Sequence, residues 1–112
     1  MEFKTLIVYQ KAKDNNQIIN EKILTKLKDR IMKDQLRRAS SSIVLNIAEG
    51  TSRLSKADQR HFFVIARGSA YECFVILDIL QNEIAEDHKP IQDSLEEISK
   101  MLFALIKRLS TS

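Results

Sequence analysis

Apolar positions recur along this chain at alternating spacings of three and four. Small or apolar residues fall at Ala66, Ala70, Cys73, Leu77, Leu80 and Ile84, and again at Ile91, Leu95, Ile98, Leu102, Leu105 and Leu109. That rhythm belongs to residues that share one side of a helix and face a partner helix. Leu36, Ala39, Ile43 and Ile47 make a third seam, and Leu6, Tyr9, Ala12, Asn16, Ile19 and Ile23 a weaker fourth. With two glycines and one proline in 112 residues, strand-and-turn punctuation is scarce. The pattern predicts an all-α protein, an antiparallel up-down four-helix bundle, forming a single domain over residues 1–112.

Local signals place the helix ends. Gly50 follows the last periodic residue of the second helix and suits a left-handed C-cap. Ser55-Lys56-Ala57-Asp58 is a capping box with Asp in place of Glu, so the third helix is expected to begin near Lys56. Run to Glu83, it would span about 42 Å at ~1.5 Å per residue. Asp87 is the expected cap of the fourth helix, with Pro90 tolerated in its first turn. The third helix also has more apolar surface than one seam needs. The runs Phe62–Ile65 and Phe74–Ile76 point in successive directions about 100° apart, which calls for cover on more than one side. Homo-oligomerisation is the expectation, with Phe62, Phe63, Phe74 and Val75 at the interface.

Composition narrows the function classes. One cysteine, Cys73, excludes an internal disulfide and a cysteine-rich metal cage, and its apolar neighbours predict a buried, inert thiol. Met1-Glu2-Phe3-Lys4 lacks the apolar core of a signal peptide, and no stretch approaches the ~20 apolar residues of a membrane span. A soluble cytoplasmic protein with no membrane partner is expected. The net charge of +3 is unevenly spread. Residues 26–67 hold ten Lys and Arg against four carboxylates, whereas residues 68–112 hold four against eight. A basic middle and an acidic C-terminal part fit either an anion-binding face or attraction between the two parts.

Gln35-Leu36-Arg37-Arg38-Ala39, Ser42-Ile43, Asn46-Ile47-Ala48-Glu49-Gly50, Arg53, and Ile65-Ala66-Arg67-Gly68-Ser69-Ala70 with Glu72 resemble the bacterial four-helix-bundle family encoded in 23S rRNA intervening sequences. Phe3, Leu6 and Ala12 fit it too, so the likeness covers essentially the whole chain. The resemblance implies a non-enzymatic bundle that assembles as a ring-like pentamer and carries the historical label of ribosomal protein. A related group serves the reverse transcriptase of diversity-generating retroelements, binding nucleic acid and the polymerase through a basic face. The partners so implied are RNA or DNA, a reverse transcriptase or another ribonucleoprotein. The chain departs from the family pattern at Lys28-Asp29-Arg30-Ile31-Met32, where members carry Pro and an aromatic-Gly-Leu, and at Val44, where a proline is common.

The candidate nucleic-acid-binding set is Arg37, Arg38, Arg53, Lys56, Arg60 and Arg67. Arg60 and Arg67 are seven apart and share a helix face, while Arg53 and Lys56 hold the preceding corner. As a phosphate-contacting patch repeated around an oligomer, these cations would add several weak contacts. As structural groups they would instead pair with Glu49, Glu72 and the acidic fourth helix. Arg53 or Arg67 is the expected partner of Glu49, whose carboxylate opposes the dipole at its helix end. No aromatic platform interleaves the set in sequence, and His61 is expected at the surface.

Ser42, Asn46, Glu49, Gly50, Gly68, Ser69 and Glu72 read as structural, helix-contact residues, with Ser40–Ser42 facing Gly68-Ser69 across a close approach. On that reading Gly68→Leu unfolds the bundle or disperses the oligomer. Glu49 and Glu72 lack a nucleophile or metal ligands to work with, and His61 and His88 stand apart from other ligands. No catalytic residue, metal or cofactor is expected. Two readings stand: a nucleic-acid-binding oligomer without base readout, and a protein-interaction scaffold held by ion pairs.

Overall fold

The computed structural model describes residues 6–110, and every regular element among them is helical. Phe3 and the rest of the opening segment lie outside the described residues. Helix α1 (Ile7–Ile18) runs on through a π turn (Ile19–Ile23) and a 3-10 turn (Leu24–Lys26). It is followed by α2 (Arg30–Ser52), α3 (Lys56–Leu80) and α4 (Lys89–Leu109). Contacts step in opposite directions along neighbouring helices. Asn16 meets Ser40, Ser42 meets Ser69, Gly50 faces Phe63, and Gln92 reaches Phe74. Lys11 pairs with Glu97, so α4 returns beside α1 and closes an up-down four-helix bundle.

Three seams lie where their spacing predicts. Leu36, Ala39, Ile43 and Ile47 of α2, Ala66 to Leu80 of α3, and Ile91, Leu95, Ile98 and Leu102 of α4 are buried, as is Ile84 beyond α3. Leu105 and Leu109, near the open end of α4, are half-buried. The first seam is displaced. Val8, Ala12, Asn15, Ile19 and Ile23 face inward, while Leu6, Tyr9 and Asn16 are only partly covered. A polar residue holds the core position in α1, and the π turn re-phases the residues after it, so that Ile23, Leu24 and Leu27 are all buried. Asn16 turns to α2 instead, its side-chain oxygen accepting from Ser40 Oγ at 2.7 Å.

The helix ends confirm some local signals and correct others. Ser55 Oγ accepts from the Asp58 N–H at 3.1 Å, so α3 starts at Lys56 as expected. It ends at Leu80 rather than Glu83. Asp29 caps α2, taking the N–H groups of Ile31 and Met32, which sets the turn where the chain departs from the family pattern. Val44 sits within an unbroken α2. The N-cap of α4 is His88, with Pro90 in the first turn; Asp87 accepts from the Lys89 N–H just outside. The buried His88 ring ties this loop down. Since a carbonyl can only accept, its Nδ1 carries the proton given to the Leu77 carbonyl at 3.0 Å.

Gly50 is not a left-handed cap. No glycine has positive φ, and α2 continues to Ser52. Gly50 instead lets α2 approach α3, for a Cβ there would stand 2.7 Å from the Phe63 ring. Phe63, expected at an oligomer interface, is thereby buried in its own subunit, at 4% exposure.

Candidate nucleic-acid interface

The antiparallel topology gathers charge at one end of the bundle. The α2–α3 corner carries Arg53, Lys56 and Arg60, and the last turn of α4 brings Lys107 and Arg108 to the same end. The opposite end holds Asp78, Glu83, Glu86 and Asp87 around the α3–α4 loop, together with the Lys26–Glu86 pair. The basic stretch of the sequence is thereby divided, with Arg53, Lys56 and Arg60 at this end and Lys26, Lys28, Arg30 and Lys33 towards the other.

The six candidate cations do not act as one patch. Arg37 pairs with Asp34 at 3.1 Å on the surface of α2. Arg53 pairs with Glu49, offsetting the carboxylate at the helix C-terminus, and lies 4.5 Å over the Phe62 ring. Lys56 and Arg60 take part in no ion pair among the described residues. Lys56 stands in the first turn of α3, where its charge opposes the helix dipole, so helix stability does not account for it. His61 is exposed as expected, edge-on to Phe62.

Arg38 and Arg67, similar in sequence setting, have different surroundings. Arg38 is exposed beside a polar groove between α2 and α3, bordered by Gln35, Ser42, Ser69 and Glu72. Arg67 faces α4, its guanidinium 5.1 Å from the ring centres of both Tyr71 and Phe103. It donates to the Tyr71 hydroxyl at 3.3 Å and makes no ion pair with Glu49 or Glu72. The sequence-based expectation that no aromatic platform accompanies the cations is therefore corrected at Arg67. Tyr71 and Phe74 were legible as neighbours four and seven residues on along the same helix face; Phe103 reaches the site only through the α3–α4 packing.

The small-residue motif divides in the same way. Ser69 Oγ donates to Ser42 Oγ at 2.8 Å, and Asn46 Nδ2 donates to the Ser42 carbonyl and hydroxyl, so this part of the expected helix contact forms. Ser40 faces α1, and Gly68 faces outward, with nothing within 4 Å of the place a Cβ would take. Gly68 therefore takes no part in the α2–α3 approach. Glu72, level with Arg38, and Glu49, beside Arg53, lie about 16 Å apart along α2 at ~1.5 Å per residue, too far to share a reacting atom.

Of the other expected interface residues, Phe62 lies under Arg53 and Phe74 packs against the core. Val75 is 53% exposed, on the outward face of α3 with Val64, Gly68 and Ile79. Cys73 is fully buried, and burial, aided by the nearby Glu72 charge, pushes its thiol up to about 12, which leaves it unreactive. Among the described residues no cluster of His, Cys, Asp and Glu is arranged to hold a metal, and no helix is long and apolar enough to cross a membrane.

Residues 4–104 match the family described as 23S rRNA-intervening sequence protein. A crystal structure of a protein of unknown function from the S23 ribosomal protein family of Bacteroides thetaiotaomicron is similar in fold, with a TM-score of 0.81 and 27% identity. The likeness covers 90% of this chain and 99% of that one. No curated protein matches the chain.

Proposed function

The chain belongs to the 23S rRNA-intervening sequence protein family, and from that premise we propose that it is a non-enzymatic, self-associating protein that binds nucleic acid through its basic end. The observation that carries this reading is the pair of cations at the α2–α3 corner, Lys56 and Arg60, which have no carboxylate partner among the described residues and lie at the same end as Lys107 and Arg108. Such a surface meets phosphates by charge and shape and discriminates little between bases. Self-association supports it, because a closed ring of copies presents the same few cations several times. Val64, Val75 and Ile79, each at least half exposed around Gly68, offer a second copy an apolar helix face. The resemblance implies that the closed assembly is a pentamer.

Fluorescence anisotropy with labelled RNA and DNA across a salt series tests this reading, on protein whose mass is fixed by light scattering. Micromolar or tighter binding that weakens steeply with salt, and is lost in Lys56→Glu/Arg60→Glu protein of unchanged mass, is the expected result. Absence of binding at low salt by the intact assembly rules it out. The alternative, a protein-interaction scaffold, draws on Arg37–Asp34 and Arg53–Glu49, in which two of the cations are already engaged within the subunit.

A further inference from the structure

Between α3 and α4 lies a cavity of about 410 Å³, within the range of small-ligand sites. Three aromatic rings line it, Tyr71, Phe74 and Phe103, and the Tyr71 and Phe103 side chains remain half exposed. Arg67 and Lys100 bring positive charge to the lining against the single carboxylate of Glu96. The Arg67 guanidinium is spread over two of the rings, and its Nε is buried without a hydrogen-bond partner. A buried donor left unpaired is costly, so an apolar occupant alone would not suit this cavity. The lining asks for a flat group that stacks, carries acceptor atoms in its plane and adjoins negative charge.

We propose that the α3–α4 cavity takes an unstacked base of a single-stranded nucleic acid. The base lies against Tyr71 and Phe103, and its adjoining phosphate is held by Arg67 and Lys100. Aromatic rings interleaved with cations are how proteins grip single strands without reading sequence, since every base has a stacking face. A duplex cannot use the cavity, because its bases are already stacked. The outward face of α3 stays free for a second copy. At about 100° per residue, Val64, Gly68, Val75 and Ile79 centre roughly 90–100° round the helix from Arg67 and Phe74, with Tyr71 at the edge between the two faces.

This inference rests on the nucleic-acid reading, and strand state separates the two. The probes are a single-stranded oligonucleotide carrying 2-aminopurine and the duplex of the same sequence. Wild-type protein should quench the single strand's 2-aminopurine. Phe103→Leu should abolish the quench and weaken single-strand binding about tenfold, in line with the loss of one stacked base. Duplex affinity, salt slope and assembly mass should stay unchanged, and Phe103→Trp should restore the quench. Equal affinity of wild type and Phe103→Leu for the single strand overturns the cavity proposal while leaving the basic end intact. A change of mass in Phe103→Leu overturns it by making the cavity an interface between copies. Failure of wild type to bind either strand overturns both.

Discussion

Gly50 and Gly68 are the only two glycines of the chain, and both lie within long helices, where each costs about 1 kcal/mol relative to alanine. Their surroundings are opposite. Gly50 is buried at the α2–α3 approach, with the Phe63 ring where its Cβ would be. Gly68 is on the far side of α3, facing open space between Val64 and Val75. At Gly50 the subunit's own packing repays the missing side chain. At Gly68 nothing within the subunit does, and the same cost then points to something outside it. An adjacent residue underlines the contrast, for Ser69 turns inward and bonds Ser42.

Substitutions at the two sites should therefore differ in sign. The largest effect is expected for Gly50→Val, which must displace a buried aromatic ring. Overpacking of this kind costs about 2–3 kcal/mol, visible as a lower midpoint in urea with little change in slope. Pairing it with Phe63→Leu should recover part of the loss. If Gly50→Val alone unfolds at the wild-type midpoint, the close approach is not what keeps glycine there.

Gly68→Ala sharpens the comparison from the other side. It meets no neighbour and gains helix propensity, so the subunit should be stabilised by about 1 kcal/mol. Of the two outcomes expected from the sequence for Gly68→Leu, unfolding of the bundle or dispersal of the oligomer, the open space at Gly68 removes the first and leaves the second. Gly68→Leu should leave the subunit folded and alter only the mass of the assembly by light scattering. A fall in subunit stability for Gly68→Ala would mean that the two glycines are equivalent after all.

The same geometry explains which features were legible in the chain. The seams of α2, α3 and α4 were plain because large aliphatics recur with the helix period and each helix buries one stripe. The first helix was misphased because Asn15 holds a core position and no residue in Ile19–Ile23 announces a π turn. The glycine in Ala66-Arg67-Gly68-Ser69 was read correctly as a local cost, but a one-dimensional pattern does not say which side of the helix repays it. For the candidate site, the spacing of Arg60 and Arg67 and the Ser55 cap were plain in the chain. The cavity was not, because its rings come from two helices whose register is set by packing. Phe103 is 36 residues from Arg67 and meets it only once α4 has folded back.

A smaller contrast runs along the bundle axis, from the end packed by Gly50 and Phe63 to the end joined by Lys26 and Glu86. The first is a dry contact indifferent to protonation. The second is an ion pair at 2.6 Å between partly exposed side chains, where the hydrogen bond and charge of Lys26 hold the Glu86 carboxyl below its usual range. A carboxyl whose folded-state value is depressed stabilises the fold at pH above its unfolded value, and the contribution disappears as pH falls through the folded one. Stability supplied by this pair is therefore complete at neutral pH and lost in the acid range below the ordinary glutamate value. Solvent screening keeps the effect slight. Glu86→Gln should lower the thermal midpoint a little at pH 7, and the gap to wild type should close as both are acidified. An unchanging gap would show that the side chain packs rather than pairs. Gly50→Val should by contrast shift the midpoint equally at every pH, because the buried contact it disrupts joins a glycine to a phenyl ring, neither of which titrates.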